Sequence, residues 1–136
     1  MGRANEASST ILVVEDSVTQ ALHVQDLLER AGAHVVVAAD GLEGLELAQT
    51  AQPDLILLDM QLPGMNGFQV CEQLKSLPGT NHIPVIMFTR HDDPEMAKLG
   101  IQSGAIDYIP KDAFADAVLL ETIRQMGLIE SYEMNA

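Results

Sequence analysis

The chain has 136 residues, 47% of them apolar and 20% charged, which is the composition of one globular domain and excludes a disordered polymer. Seven Lys and Arg against twenty Asp and Glu leave a formal charge of −13, a surface that repels phosphate backbones and excludes direct nucleic-acid binding as the expected role. A single cysteine, Cys71, excludes an internal disulfide framework or a Cys-based zinc cluster, and no apolar run approaches the ~20 residues of a membrane helix.

The opening MGRANEASST lacks the apolar core of a signal peptide, so a soluble, cytoplasmic protein is expected, with no membrane partner. Residues 1–9 read as a flexible leader, 10–128 as the domain and 129–136 as a tail. Five apolar runs predict strands: Ile11–Val14, His34–Ala39, Leu55–Leu58, Pro84–Phe88 and Ala105–Ile109. The first four are near-continuous rather than alternating, which suits strands covered on both faces.

Helical spacing fills the gaps. Val18, Ala21, Leu22, Val24, Leu28 and Ala31 form a stripe that Gly32 is placed to end. Ser17 with Gln20 reads as a capping box, and Asp40 with Glu43 repeats it for the second helix. A third helix is predicted over Phe68 to Leu77, before the Pro78-Gly79 turn. The fourth begins at Asp93-Pro94, contains Gly100 and has few apolar anchors, so it is expected to be the least secure. A fifth runs from Ala113 to Met126 and is closed by Gly127. Strand and helix thus alternate five times, which predicts a doubly wound α/β sandwich on a parallel sheet with right-handed crossovers.

Ligands of open α/β sheets bind beyond the carboxyl ends of the strands. Glu15 and Asp16 follow the first strand, Asp59 the third, Thr89 the fourth and Lys111 the fifth. Each alone could be a turn or cap residue. Together they put three carboxylates, a hydroxyl and an ammonium on one edge. Clustered carboxylates repel unless protons or a cation intervene, and hard oxygen ligands with open positions suit Mg2+. An aspartate can accept a phosphoryl group, with a hydroxyl and an ammonium to receive its oxygens. Phosphoryl transfer onto a carboxylate is the chemistry these residues suggest.

The stretches ILVVEDS (11–17), LILLDMQLPGMNG (55–67), PVIMFT (84–89) and GAIDYIPK (104–111) resemble the receiver domains of two-component response regulators. The likeness runs from Ile11 to about Leu128. It implies a five-stranded parallel sheet of order 2-1-3-4-5 with five helices, a flavodoxin-like three-layer sandwich. It also implies that Asp59 is the phosphoacceptor. Asp16 and Asp59 would bind Mg2+ directly, Glu15 through a water and Gln61 through its backbone carbonyl. Thr89 would bond a phosphoryl oxygen, Lys111 would pair with the phosphoryl group, and Tyr108 would be the aromatic switch. Pro63 and Gly67 would shape the loop after the acceptor.

The donor the family implies is a histidine kinase or phosphotransfer protein. The readout face would be helix four, strand five and helix five, open to a downstream target or a second copy. Two positions depart from the family's pattern. Arg90 stands where a small residue is usual, and Pro110 precedes Lys111 where the family places Pro after it. Gln61, Arg90 and His91 occupy positions expected to tune the phosphoryl lifetime.

Two rival readings remain at this level. A Mg2+-dependent phosphatase could use Asp59 as a turnover nucleophile, but such enzymes carry D-x-D after the first strand where this chain has Glu15-Asp16-Ser17. A receiver-like scaffold would need no complete set of acids, Thr and Lys. The histidines at 23, 34, 82 and 91 have no metal-ligand spacing, and His23 reads as a plain surface residue. Cys71 reads as core, and Gly41-x-x-Gly44 is too short for a nucleotide loop.

Overall fold

Strands and helices alternate through the computed structural model, which describes residues 8–90 and 94–130. In chain order they are β1 (Thr10–Val14), α1 (Val18–Arg30), β2 (His34–Ala38), α2 (Gly41–Ala51), β3 (Leu55–Leu58), α3 (Gly67–Ser76), β4 (Val85–Thr89), α4 (Pro94–Gln102), β5 (Asp107–Pro110) and α5 (Ala115–Gln125). The strands form one parallel sheet in the order β2-β1-β3-β4-β5, as the sequence implied.

Side chains alternate across a strand, so each central strand feeds two cores. Ile11, Val13, Leu55, Leu57, Ile86 and Phe88 meet Val24 and Leu28 of α1 and Leu119 and Ile123 of α5 on one face. Leu12, Val14, Ile56, Leu58, Val85 and Met87 meet Leu45 and Ala48 of α2 and Val70, Cys71 and Leu74 of α3 on the other. That double burial is why these strands read as unbroken apolar runs. Fully burying one such Leu or Ile contributes roughly 1.5–3 kcal/mol. Cys71 lies in the second core, as expected. Ile129 packs into the first, and the Ser9 carbonyl accepts from His34 N–H at 2.7 Å.

Helix α1 ends where Gly32 takes φ +99°, a conformation that costs a side-chain-bearing residue. Its start differs from the sequence reading. Ser17 Oγ accepts from Gln20 N–H at 3.3 Å, but Glu15 Oε2 takes Ser17 N–H at 3.1 Å, leaving the Gln20 side chain for another partner. At α2, Asp40 Oδ1 accepts from Glu43 N–H at 2.8 Å, while Glu43 reaches back to Ala39 N–H at 2.9 Å and so ends β2 at Ala38. A full reciprocal box does form at α3, between Asn66 and Gln69. The start of α5 is later than predicted because Asp112 Oδ1 accepts from Phe114 N–H at 2.9 Å and holds a turn there. Within α4 only Gly100 is fully buried. The expected cap Asp93 lies outside the described residues, as do residues 1–7 of the expected leader and 131–136 of the expected tail.

The sheet ladder continues one step past the strands and thereby aims the site. Glu15 N–H donates to Ala38 O at 2.9 Å, Asp59 N–H to Val14 O at 3.1 Å and Lys111 N–H to Thr89 O at 2.7 Å. Because 111 faces β4, Pro110 turns its missing donor to the open edge of β5, where a proline costs no ladder bond.

Candidate functional site

Asp59 sits at the centre of the carboxyl edge and is 9% exposed. Its Oδ1 accepts from Thr89 Oγ1 at 2.8 Å and from Gln61 N–H at 3.2 Å, and its Oδ2 faces Lys111 Nζ at 3.3 Å. Burial alone would push this carboxyl up, but the Lys111 charge and the Thr89 and Gln61 donors outweigh it and hold the group below the usual Asp range. Thr89 is fully buried, and its hydroxyl finds its partner in the carboxylate.

Glu15 is buried and Asp16 exposed. The Lys111 ammonium donates to Glu15 Oε1 and to Gln20 Oε1, the latter at 2.7 Å, and lies 5.3 Å from the Phe88 ring centre. Burial pushes the Glu15 carboxyl up, the negative charge of Asp59 adds to this, and Lys111 only partly opposes them. Ligand oxygens of Glu15, Asp16 and Asp59 all lie within 4.8 Å of one another. With all four groups ionised, three carboxylates against one ammonium leave two negative charges, which one divalent cation neutralises. Opposite ligands of an octahedral Mg2+ are roughly 4 Å apart, so the cluster accommodates such an ion with small closure or a bridging water. Exposed Asp16 leaves a side of the cluster open to solvent.

These opposed shifts carry a pH prediction. Glu15 ionises more readily in the unfolded chain than in the folded one, so it lowers stability as pH rises above its ordinary value of 4.5. Asp59 works the other way, contributing stability that is lost as pH falls through its depressed folded value. Urea unfolding across pH should therefore show the stability of Glu15→Gln, relative to wild type, climbing above about pH 4.5 and then levelling. A difference that stays flat with pH would mean that Glu15 is not held out of water by this site.

The structure thus brings together Glu15, Asp16, Asp59, Thr89 and Lys111, the five residues singled out at the strand ends. Gln61 supplies a backbone N–H to Asp59, and its side chain is exposed. Tyr108 is half-buried, with its hydroxyl 3.5 Å from the sulfur of Met60, the residue after Asp59. Arg90 is exposed on the rim of a groove of about 430 Å3 that Gln20, His23, Phe88, Lys111 and Asp116 also line. His91 lies outside the described residues. Sequence reasoning missed the Gln20 contact, because the cap pattern had already given that side chain a role. It also missed the pairing of His23 Nε2 with Asp116 Oδ2 at 2.8 Å, which ties α1 to α5 across 93 positions.

Comparison with known proteins identifies the family of the fold. The family model described as the response regulator receiver domain matches residues 11–124. Protein PilH of Pseudomonas aeruginosa is 39% identical over 113 residues, covering 83% of this chain and 93% of PilH. Two further curated relatives are longer, and the chain spans only 44% of one and 26% of the other. Among solved structures, a putative response regulator from Chloroflexus aurantiacus superposes with a TM-score of 0.82 at 31% identity, covering 88% of this chain and 97% of its own. The receiver domain of sensor histidine kinase PA1611 from Pseudomonas aeruginosa reaches 0.79 at 25% identity, covering 87% and 96%, and holds a magnesium ion in its active site cleft. The match of the family model over nearly the whole described fold, together with a relative 39% identical that is matched over 93% of its own length, establishes that this chain belongs to the response regulator receiver domains of two-component signalling.

Proposed function

We propose that the chain is a phosphorylation-dependent switch in which Asp59 accepts a phosphoryl group from the phosphohistidine of a histidine kinase or phosphotransfer protein. One observation carries the reading: both oxygens of Asp59 already face a donor, the Thr89 hydroxyl on one and the Lys111 ammonium on the other. A carboxylate oxygen attacks phosphorus, the P–N bond to the donor imidazole breaks, and the imidazole leaves with that electron pair. The protein's part is positioning and neutralisation. Asp16 and Asp59 would hold Mg2+, with Glu15 through a water and Gln61 through its carbonyl. The ion supplies charge neutralisation and coordination for the phosphoryl oxygens.

Thr89 then exchanges its bond to Asp59 for one to a phosphoryl oxygen, which draws the end of β4 inward. Tyr108 follows, since its hydroxyl rests on Met60 beside the acceptor. The readout face is α4, β5 and α5, which exposes Ile101, Ile106 and Val118 to a downstream partner or a second copy. The scarcity of buried anchors in α4 suits a segment that must move. Gln61, Arg90 and His91 tune how long the phosphoryl group survives. Arg90 does so from the rim of the groove that Lys111 also lines.

The test is a thermal-stability series. Mg2+ at ten times its dissociation constant should raise stability by about 1.4 kcal/mol, and Asp16→Asn should remove most of that gain. Beryllofluoride, a phosphoryl mimic, should add a further increment only when Mg2+ and Asp59 are both present. A wild-type protein that ignores beryllofluoride in saturating Mg2+ would leave the phosphorylation-independent scaffold as the better reading.

A further inference from the structure

Gln20 sits in the first turn of α1, half-buried, and does not make the return cap bond that its spacing from Ser17 suggests. Its Oε1 instead accepts from Lys111 Nζ at 2.7 Å, across 91 positions of sequence. An ammonium has three N–H donors, and here Glu15, Gln20 and Asp59 take one each. The contact to Asp59 is the longest of the three, at 3.3 Å against 2.7 Å for Gln20.

Glu15 and Asp59 also belong to the carboxylate cluster, so a divalent cation competes with Lys111 for both. Gln20 is neutral and outside that cluster, so its hold on the ammonium survives when the cation arrives. Without it, and with Glu15 drawn to the cation, a flexible four-carbon stem would keep only the long contact to Asp59 and the Phe88 ring beneath its charge.

We propose that Gln20 is a positioning residue that anchors the Lys111 ammonium beside Asp59 once the metal has drawn Glu15 away. This rests on the phosphoacceptor reading of Asp59 and adds a residue to it. The Gln20 carbonyl occupies one N–H and so directs the other two toward the acceptor. A phosphoryl oxygen on Asp59 takes up the donor that Asp59 Oδ2 holds in the resting state, and the Gln20 bond need not break.

The experiment is calorimetric titration of the full chain with Mg2+, and then with beryllofluoride in excess Mg2+, for wild type, Gln20→Leu, Lys111→Ala and the double variant. Leucine keeps the helix and the volume but cannot accept a hydrogen bond. Gln20→Leu should weaken beryllofluoride binding by about ten-fold, the scale of one hydrogen bond to a charged group, and leave Mg2+ affinity within about two-fold. In the Lys111→Ala background the same substitution should change nothing further, because Gln20 acts through that ammonium.

Equal beryllofluoride affinity in Gln20→Leu and wild type would overturn the role of Gln20 alone. An equal loss in both backgrounds, or a matching fall in Mg2+ affinity, would reduce Gln20 to a structural residue of α1 and overturn it too. Wild type that binds no beryllofluoride would overturn the positioning role together with the reading it rests on.

Discussion

Incubated with acetyl phosphate and Mg2+, the protein should gain one phosphoryl group in its intact mass, and Asp59→Ala should gain none. The expected effect is all-or-none because no other carboxylate among the described residues has both a buried hydroxyl and an ammonium on its oxygens. The low proton affinity of Asp59 keeps it ionised, and therefore nucleophilic, throughout the neutral range. Chelating the metal should also abolish the adduct, since two uncompensated negative charges would then face an anionic donor. Transfer that persists in Asp59→Ala would place the acceptor elsewhere. Continuous phosphate release without any accumulated adduct would instead favour the phosphatase reading.

Gly67→Ala should have the largest effect of any conservative change outside the charged residues. A Cβ at 67 would lie 2.4 Å from the Asp59 carbonyl oxygen and 2.7 Å from Met60 Cα. Both are backbone atoms, so no rotamer change relieves the clash, and α3 must move off the loop that follows Asp59 or that loop must move off the sheet. Gly67 N–H also donates to Met60 O at 2.8 Å, so the close approach is part of the loop's own hydrogen bonding. We expect a loss of about 1–3 kcal/mol in urea unfolding, which the gain in helix propensity of about 1 kcal/mol does not offset. Phosphoryl uptake should fall with it, because Asp59 is displaced. Gly79→Ala is the control: a Cβ there meets nothing within 4 Å, and its stability should stay within about 0.5 kcal/mol of wild type. A Gly67→Ala protein as stable as that control would show that the β3–α3 approach is not tightly constrained.

The two glycine substitutions show where sequence reading stops. Gly67 is recognisable in the sequence as part of the loop that follows Asp59. That it must be glycine follows from a backbone approach between the start of α3 and the end of β3, and nothing local reports such a distance. Its torsions are ordinary, so a turn-based argument would have given the wrong reason. Arg90 and Pro110 are the converse case. Both stand out in the sequence as departures from the family pattern, and the fold accommodates them, Arg90 at an exposed rim and Pro110 with its missing N–H on the open edge of the sheet.

By itself the sequence determined the alternation of five strands and helices, the order of the sheet through its family motifs, and the five polar residues at the strand ends. The reason is that all of these but the sheet order rest on local rules. Apolar runs bury a strand on both faces, periodic stripes bury one face of a helix, and a residue that follows a parallel strand must emerge at the carboxyl edge. The tertiary structure alone decided between partners when one side chain had several within reach. Gln20 could cap Ser17 or hold Lys111, and Glu15 took the cap instead. Lys111 could pair with any of three carboxylates and divides its donors between Glu15, Gln20 and Asp59. His23 could face solvent alone and instead meets Asp116. Such choices are settled by distances between segments up to 96 positions apart, because the strength of a hydrogen bond or ion pair falls steeply with geometry that spacing in the chain does not encode.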